Sequence, residues 1–209
     1  MASTLGVVLI GHGSPALDCP PQWIGELMGI QHGGQGGHDH GGHGAHAPGG
    51  RAAARPGEED LRRRAGELDA KIRDWPRTGS NDPYRRGLEQ LAAALRPLLP
   101  TDLFAVGYNE FCRPTIAEAI GQVAERGASR ILVIPTMLTP GGVHSEVDIP
   151  KALEEIRRAH PGVAIEYVWP FDLGRVAALL ADHVRLAAQS RASSRDETPS
   201  PAAQSRMVK

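Results

Sequence analysis

Two histidines follow apolar runs of strand length, in short segments that contain glycine. His12 comes just after the run Leu5–Ile10, within the segment GHGS, and His144 follows the segment Pro-Gly-Gly-Val after a later apolar run. Neutral imidazole is a good ligand for cobalt, nickel, iron and zinc, whereas magnesium prefers oxygen ligands. Each histidine alone is explained equally well as a loop residue that bonds a nearby carbonyl group. A metal site therefore requires that the fold bring the two imidazoles together.

Glu110 adds a carboxylate to these candidates. It follows the apolar run LFAVGY, in the segment NEFCR that also contains Cys112 and Arg113. A carboxylate at such a position can bind a metal ion or accept a proton. Cys112 has no cysteine near it in the sequence, and we expect it to be a small buried apolar residue rather than a ligand. Glu110 is thus the third candidate residue, with the role of a base.

The apolar runs and the stretches between them predict an α/β fold. The strand-like runs LGVVLI, LFAVGY, RILVIP and AIEYVW alternate with helical patterns that carry start and stop signals such as the Asn-Asp-Pro at 81–83 and Gly127. This alternation predicts a three-layer sandwich, a mainly parallel four-stranded sheet flanked by helices. Ligands of such sheets bind beyond the carboxyl ends of the strands. His12, Glu110 and His144 each follow a predicted strand, so we expect them at one edge.

The chain is expected to form a single domain over residues 1–189, with an insertion at about 16–80 and a disordered tail at 190–209. The middle of the insertion is rich in glycine, histidine and proline and offers too little apolar surface to order itself. Its charged end, EEDLRRRAGELDAKIRDW, predicts a helix, because apolar residues recur every three or four positions. They are Leu61, Ala65, Leu68 and Ile72.

Five of the nine histidines fall in one glycine-rich tract, the His-rich segment, at His32, His38, His40, His43 and His46. Several imidazoles on a flexible chain are able to collect metal ions. The alternative is a neutral linker of low complexity, which composition alone does not distinguish from a metal-binding segment.

Net charge, cysteine spacing and the short motifs present limit which partners and which compartment we expect for this protein. The formal net charge is −1, which gives no broad attraction to nucleic acid or to an anionic membrane. The run Leu5–Ile10 is too short to span a bilayer and no leader pattern precedes it, so we expect no membrane partner and no export. Cys19 and Cys112 lack the spacing of a disulfide framework or zinc knuckle, which favours a reducing, cytoplasmic compartment. A nucleotide site is not indicated either, because the GxGxxG pattern fails at Ala16 and a Walker sequence is absent.

Three segments resemble the class II chelatases, in particular the short CbiX-like sirohydrochlorin cobaltochelatases and their ferrochelatase and nickel-chelatase relatives. The segments are LIGHGSP, NEFCRPTIAEAI and ILVIPTMLTPGGVHSEVDIP, and the resemblance covers residues 4–14 and about 81–188. It implies that His12 and His144 coordinate the incoming metal and that Glu110 is the acidic residue beyond the second strand. Ser14 and Arg113 are candidate contacts to substrate carboxylates, since arginine forms bidentate pairs with them.

The resemblance implies an enzyme that inserts a divalent metal into a tetrapyrrole and releases two protons. Cobalt is the first expectation, nickel and iron remain open, and the pathway could lead to cobalamin, siroheme or a nickel tetrapyrrole. The metal is a substrate, and we expect no organic cofactor. Longer members of the family contain two such units and this sequence contains one, so a homodimer is expected. Two alternatives stay open: a nickel- or cobalt-storage protein or metallochaperone on the same scaffold, and a flavodoxin-like phosphate binder without a convincing phosphate loop.

Overall fold

The structure is a computed structural model that describes residues 3–33 and 57–196. Four strands form one sheet in which every pairing is parallel, in the order β2-β1-β3-β4. The predicted α/β fold with a four-stranded sheet is confirmed. The strands are β1 Leu5–Gly11, β2 Phe104–Tyr108, β3 Arg130–Pro135 and β4 Ala164–Tyr167.

Six α-helices accompany the sheet within the described residues: α1 Pro21–Gly33, α2 Glu58–Arg73, α3 Pro83–Leu95, α4 Ile116–Glu125, α5 Ile149–Ala159 and α6 Leu173–Asp196. The starts of α3 and α4 follow local signals in the sequence. The Asp82 side chain caps α3 by accepting the Arg85 N–H, and Thr115 and Glu118 form a capping box at α4. None of the helices in the described part of the chain is long and apolar enough to cross a membrane.

The sheet lies between two helical layers. Apolar side chains of α4 and α5 pack on one face, around Val8, Ile131 and Val133. On the other face α3 packs through Leu88 and Ala92 onto Leu9 and β2. Both faces of β1 are therefore covered, which explains why its run is apolar at successive positions rather than at alternate ones.

The segment between β1 and α3 has its own small core. Helix α2 confirms the predicted helix, but α1 was not expected, because three glycines in PQWIGELMGIQHG lower its intrinsic helix propensity. Packing compensates: Leu27 of α1 and Leu68 and Ile72 of α2 are fully buried in one cluster with Phe111. The His-rich segment lies outside the described residues except for the end of α1.

The chain divides into two compact units. The first comprises residues 1–137 and 141–169 and contains the sheet with α1 to α5. The second comprises residues 138–140 and 170–209 and contains α6, which continues to Asp196, beyond the predicted end near residue 189. Residues 197–209 of the predicted tail lie outside the described residues. The predicted extent of the domain stays a prediction.

Candidate metal site

The carboxyl ends of β1 and β3 lie side by side at the centre of the sheet. The chain leaves β1 toward α3 on one face and leaves β3 toward α5 on the other face. Neighbouring parallel strands whose connections depart in opposite directions leave a crevice between them, where α/β proteins bind ligands. His12 follows β1 and His144 follows β3, so both histidines belong to the edge that forms this crevice.

Backbone hydrogen bonds fix His12 against the Glu110 segment. The His12 N–H donates to the Tyr84 hydroxyl at 2.7 Å, and the His12 carbonyl accepts the Glu110 N–H at 2.8 Å. Gly13 has a φ of +93°, and a Cβ atom at this position would lie 1.9 Å from the Glu110 carbonyl oxygen. Only glycine permits both the conformation and the approach. Gly13 thus allows the loop after β1 to lie directly against the Glu110 segment.

His144 begins a single wide turn of π-helix that leads into α5. The turn covers His144–Asp148, and the Ile149 N–H donates to the carbonyl of His144, five residues earlier. Such turns occur frequently at functional sites. The Tyr167 hydroxyl of β4 donates to the Ser145 carbonyl at 3.0 Å and so anchors the turn to the sheet.

His12, Glu110 and His144 come together as a possible metal-binding group, with one ligand atom of each within 4.8 Å of the others. His12 Nε2 lies 3.9 Å from Glu110 Oε2, and His144 Nδ1 lies 3.8 Å from Glu110 Oε1. Ligand bonds of about 2.0–2.2 Å in a tetrahedral site place ligand atoms about 3.4 Å apart. The two measured distances exceed this value by about half an ångström, so the side chains have to rotate to bring the three ligand atoms onto one ion. The imidazole rings are 4.5 Å apart between centroids and nearly perpendicular.

Hydrogen bonds select the imidazole tautomers. His12 Nδ1 lies 2.7 Å from the Gly13 carbonyl, which only accepts, so Nδ1 carries the proton and the Nε2 lone pair faces Glu110. His144 Nδ1, the nitrogen 3.8 Å from Glu110, also lies 2.7 Å from Asp148 Oδ2, which only accepts. With the Nδ1 proton donated to Asp148, the lone pair that can bind a metal is on Nε2, and the ring has to turn to present Nε2 beside Glu110. A ligand histidine whose second nitrogen donates to a carboxylate or carbonyl is the usual arrangement in metal sites. Asp148 was not among the site residues predicted from the sequence; its i, i+4 spacing from His144 was the available signal.

Glu110 and His144, but not His12, line a groove of about 690 Å³, a volume within the range of small-molecule sites. Three carboxylates line it, Asp69, Glu110 and Asp148, against one cationic side chain, Arg73, so its charge favours a cation. The side chains of His12, His144 and Glu110 are 37%, 33% and 29% exposed, and therefore accessible to a ligand. The other lining residues are Leu27, Gln31, Asn109, Phe111, Val143 and His144.

The remaining candidates lie elsewhere. Arg113 makes ion pairs with Asp74 and Glu118, and the Ser14 hydroxyl donates to the Pro15 carbonyl at 3.3 Å. Neither is among the residues that line the groove. Their predicted contact with a substrate stays a prediction. Cys112 is fully buried, as expected, and burial raises the pKa of its thiol.

The parallel sheet with three potential ligands at its carboxyl edge places the protein among the α/β proteins that bind ligands at strand ends. A family model described as CbiX matches residues 77–186, more than half of the chain. The chain therefore belongs to the CbiX family.

Curated relatives carry chelatase names. The chain is 40% identical over 76 residues to the sirohydrochlorin cobaltochelatase of Methanopyrus kandleri, and this match covers 36% of this chain and 52% of that protein. It is 39% identical over 84 residues to the sirohydrochlorin cobaltochelatase of Sulfurisphaera tokodaii, covering 40% of this chain and 66% of that protein. A sirohydrochlorin ferrochelatase of Priestia megaterium is 26% identical to the chain over 104 residues, and this match covers 48% of this chain and 39% of that protein. The chain spans about half the length of the curated relatives it matches.

Among solved structures, the chain is similar to the sirohydrochlorin chelatase SirB from Bacillus subtilis subspecies spizizenii in complex with cobalt. The match has a TM-score of 0.42 and 14% identity, and covers 80% of this chain and 43% of that chain.

Proposed function

We propose that this protein is a sirohydrochlorin chelatase that inserts a divalent metal ion, cobalt in the first place, into the macrocycle. The observation that carries the proposal is the convergence of His12, Glu110 and His144 at the side of an open groove. Three protein ligands leave a coordination position free, which is the arrangement of reactive rather than purely structural metal sites. The names of the curated relatives and membership of the CbiX family supply the substrate class.

The metal ion enters as a substrate. The imidazoles of His12 and His144 bind it through lone pairs, and the Glu110 carboxylate compensates part of its charge. A tetrapyrrole in the groove then replaces water and protein ligands one after another with its ring nitrogens. Two N–H bonds break and four metal–nitrogen bonds form, two to the deprotonated nitrogens and two to the nitrogens that already have a lone pair, so two protons leave for every ion inserted. Glu110, or a histidine freed from the metal, accepts a proton as the ring nitrogen gives it up.

Three ligands of moderate strength suit a delivery reaction. Insertion requires that the protein release the ion, and a closed set of four ligands would hold it too tightly to transfer. Two imidazoles and one carboxylate bind cobalt, nickel and ferrous iron with similar geometry, so supply and rate, rather than the ligand set, select among them. The cobaltochelatase names among the relatives favour cobalt.

We also propose that two copies of the chain pair and that the protein acts in the cytoplasm, without an organic cofactor. The sequence contains one copy of the unit that longer members of the resembled family contain twice. A second copy of the chain would supply the other side of a cleft for a flat macrocycle. Light scattering combined with size-exclusion chromatography tests this, and a strict monomer that retains full turnover would contradict it.

The function is tested by mixing the purified protein with sirohydrochlorin and Co²⁺, Ni²⁺ or Fe²⁺ in turn and following the macrocycle absorption spectrum. We expect insertion above the uncatalysed rate, fastest with cobalt. His144→Ala should lose most of this activity, because one of two imidazole ligands is gone. His183→Ala removes an exposed histidine of α6 and is the matched control. Metal binding without turnover in the unmodified protein would instead support the storage hypothesis.

A further inference from the structure

One arginine of α2 donates hydrogen bonds to the backbone of the segment that contains Glu110. Arg73, the last residue of that helix, donates from one terminal nitrogen to the Asn109 carbonyl at 3.1 Å and from the other to the Cys112 carbonyl at 3.0 Å. These carbonyls flank Glu110 and Phe111 on both sides. The guanidinium group is a rigid planar fork, so it fixes the separation and direction of the two carbonyls at once.

Asp69 holds this fork in place. Its Oδ2 atom accepts from Arg73 Nε at 2.7 Å, one turn earlier on α2, and the Arg73 side chain is only 13% exposed. Charge-assisted hydrogen bonds in a partly desolvated position are stronger than those at the surface. All three guanidinium nitrogens of Arg73 thus donate a hydrogen bond, and these bonds hold α2 and the Glu110 segment in a fixed relative position.

The loop requires such support because its backbone is unusual. Phe111 has a φ of 58°, in the left-handed region that non-glycine residues rarely adopt. Strained conformations persist only where the surroundings determine them strongly. The Phe111 side chain is buried against Leu27 of α1 and Leu68 of α2, and Arg77 donates a hydrogen bond to the Phe111 carbonyl, so the small core and a second arginine also support this conformation.

We infer that helices α1 and α2, which lie between β1 and α3 in the chain, form a platform that sets the position of Glu110, and that Arg73 is its positioning residue. The inference rests on the proposed function, in which Glu110 meets His12 and His144 on one ion. Arg73 also lines the groove, but its effect on the metal is exerted through the carbonyls beside Glu110 and not by contact with the ion. Its removal should therefore weaken metal binding only to the extent that Glu110 takes part in it.

The test is a double-mutant cycle read by Co²⁺ binding alone, without tetrapyrrole. The full chain is used with the five histidines of the His-rich segment replaced by glutamine, so that those imidazoles do not contribute. Arg73→Gln is compared with the parent, with Glu110→Gln and with the double variant. Arg64→Gln, which breaks the ion pair of α2 with Glu26 of α1 and leaves the loop untouched, is the matched control. Thermal unfolding reports whether each variant remains folded.

We expect Arg73→Gln to weaken Co²⁺ binding about tenfold, the lower end of the range for residues that support metal ligands. Arg73→Lys, with one cationic head instead of a fork, should recover part of this loss. In the Glu110→Gln background the same change should cost less than about twofold, because coupled residues are not additive. An equal loss in both backgrounds, or no loss in either, would overturn the inference. Failure of the proposed function is recognised separately, as absent insertion by the unmodified protein in the spectroscopic assay.

Discussion

Replacing Asp148 with asparagine tests whether this carboxylate orients His144 for metal binding. The Asp148 Oδ2 atom accepts the Nδ1 proton of His144 at 2.7 Å, and asparagine has nearly the same shape without the charge. The variant keeps the space filled but weakens or inverts the hydrogen bond, since the amide offers either a neutral oxygen or a donor. The lone pair at Nε2 then becomes a weaker ligand and its direction is less defined.

The size of the effect follows from burial and charge. Hydrogen bonds to charged groups contribute about 1.5–3 kcal/mol. The Asp148 side chain is 41% exposed, so solvent screening moves the expected value to the lower end, about 1.4 kcal/mol or tenfold in affinity. Global stability should change by less than about 0.5 kcal/mol, because the residue lies at the surface of the groove.

The assay is calorimetric titration with Co²⁺ of the full chain whose five segment histidines are glutamine, combined with turnover measured at varied metal concentration. We expect the apparent KM for metal to rise about tenfold, with a smaller change in kcat. Glu154→Gln, which breaks an exposed ion pair with Arg158 on α5, is the control of matched chemistry. Unchanged affinity in Asp148→Asn, with the control also unchanged, would refute the orienting role.

Three further outcomes are expected. Gly13→Ala should lower the free energy of unfolding in urea by roughly 1–3 kcal/mol and slow metal insertion. The reason is that Gly13 has a φ of +93° and that the new Cβ atom would lie 1.9 Å from the Glu110 carbonyl oxygen. An unfolding free energy equal to that of the wild type would contradict this prediction. Tyr167→Phe should cost about 1 kcal/mol by removing the hydrogen bond to the Ser145 carbonyl, and a neutral result would show that the bond does not hold the turn. Burial raises the pKa of Tyr167 to about 12, so its contribution to stability should be complete below about pH 10, where the unfolded side chain starts to ionise, and be lost as the pH rises through 12. The free energy of unfolding should accordingly fall more steeply with rising alkaline pH in the wild type than in Tyr167→Phe. Equal slopes would contradict the raised pKa of Tyr167.

The sequence by itself determined the strands and the chemistry at their ends. Apolar runs of strand length, broken by glycine or polar residues, must be buried in a parallel sheet, and His12, Glu110 and His144 each come after such a run. Parallel strands share one carboxyl edge, so the local pattern predicted that these three side chains lie at one edge, but not that they come within ligand distance of one another. The charged helix α2 was equally visible, because its apolar residues repeat at helical spacing.

Only the tertiary structure decided how the site is held. Helix α1 is rich in glycine and forms because Leu27 is buried against α2, a contact that local propensity does not encode. The hydrogen bonds from Arg73 to the Asn109 and Cys112 carbonyls join residues more than thirty positions apart in the chain. The strand order β2-β1-β3-β4 decides which loops face each other. Apolar periodicity is a property of neighbours in sequence, whereas the direction of a guanidinium group or of a histidine tautomer depends on partners that only folding brings within hydrogen-bonding distance.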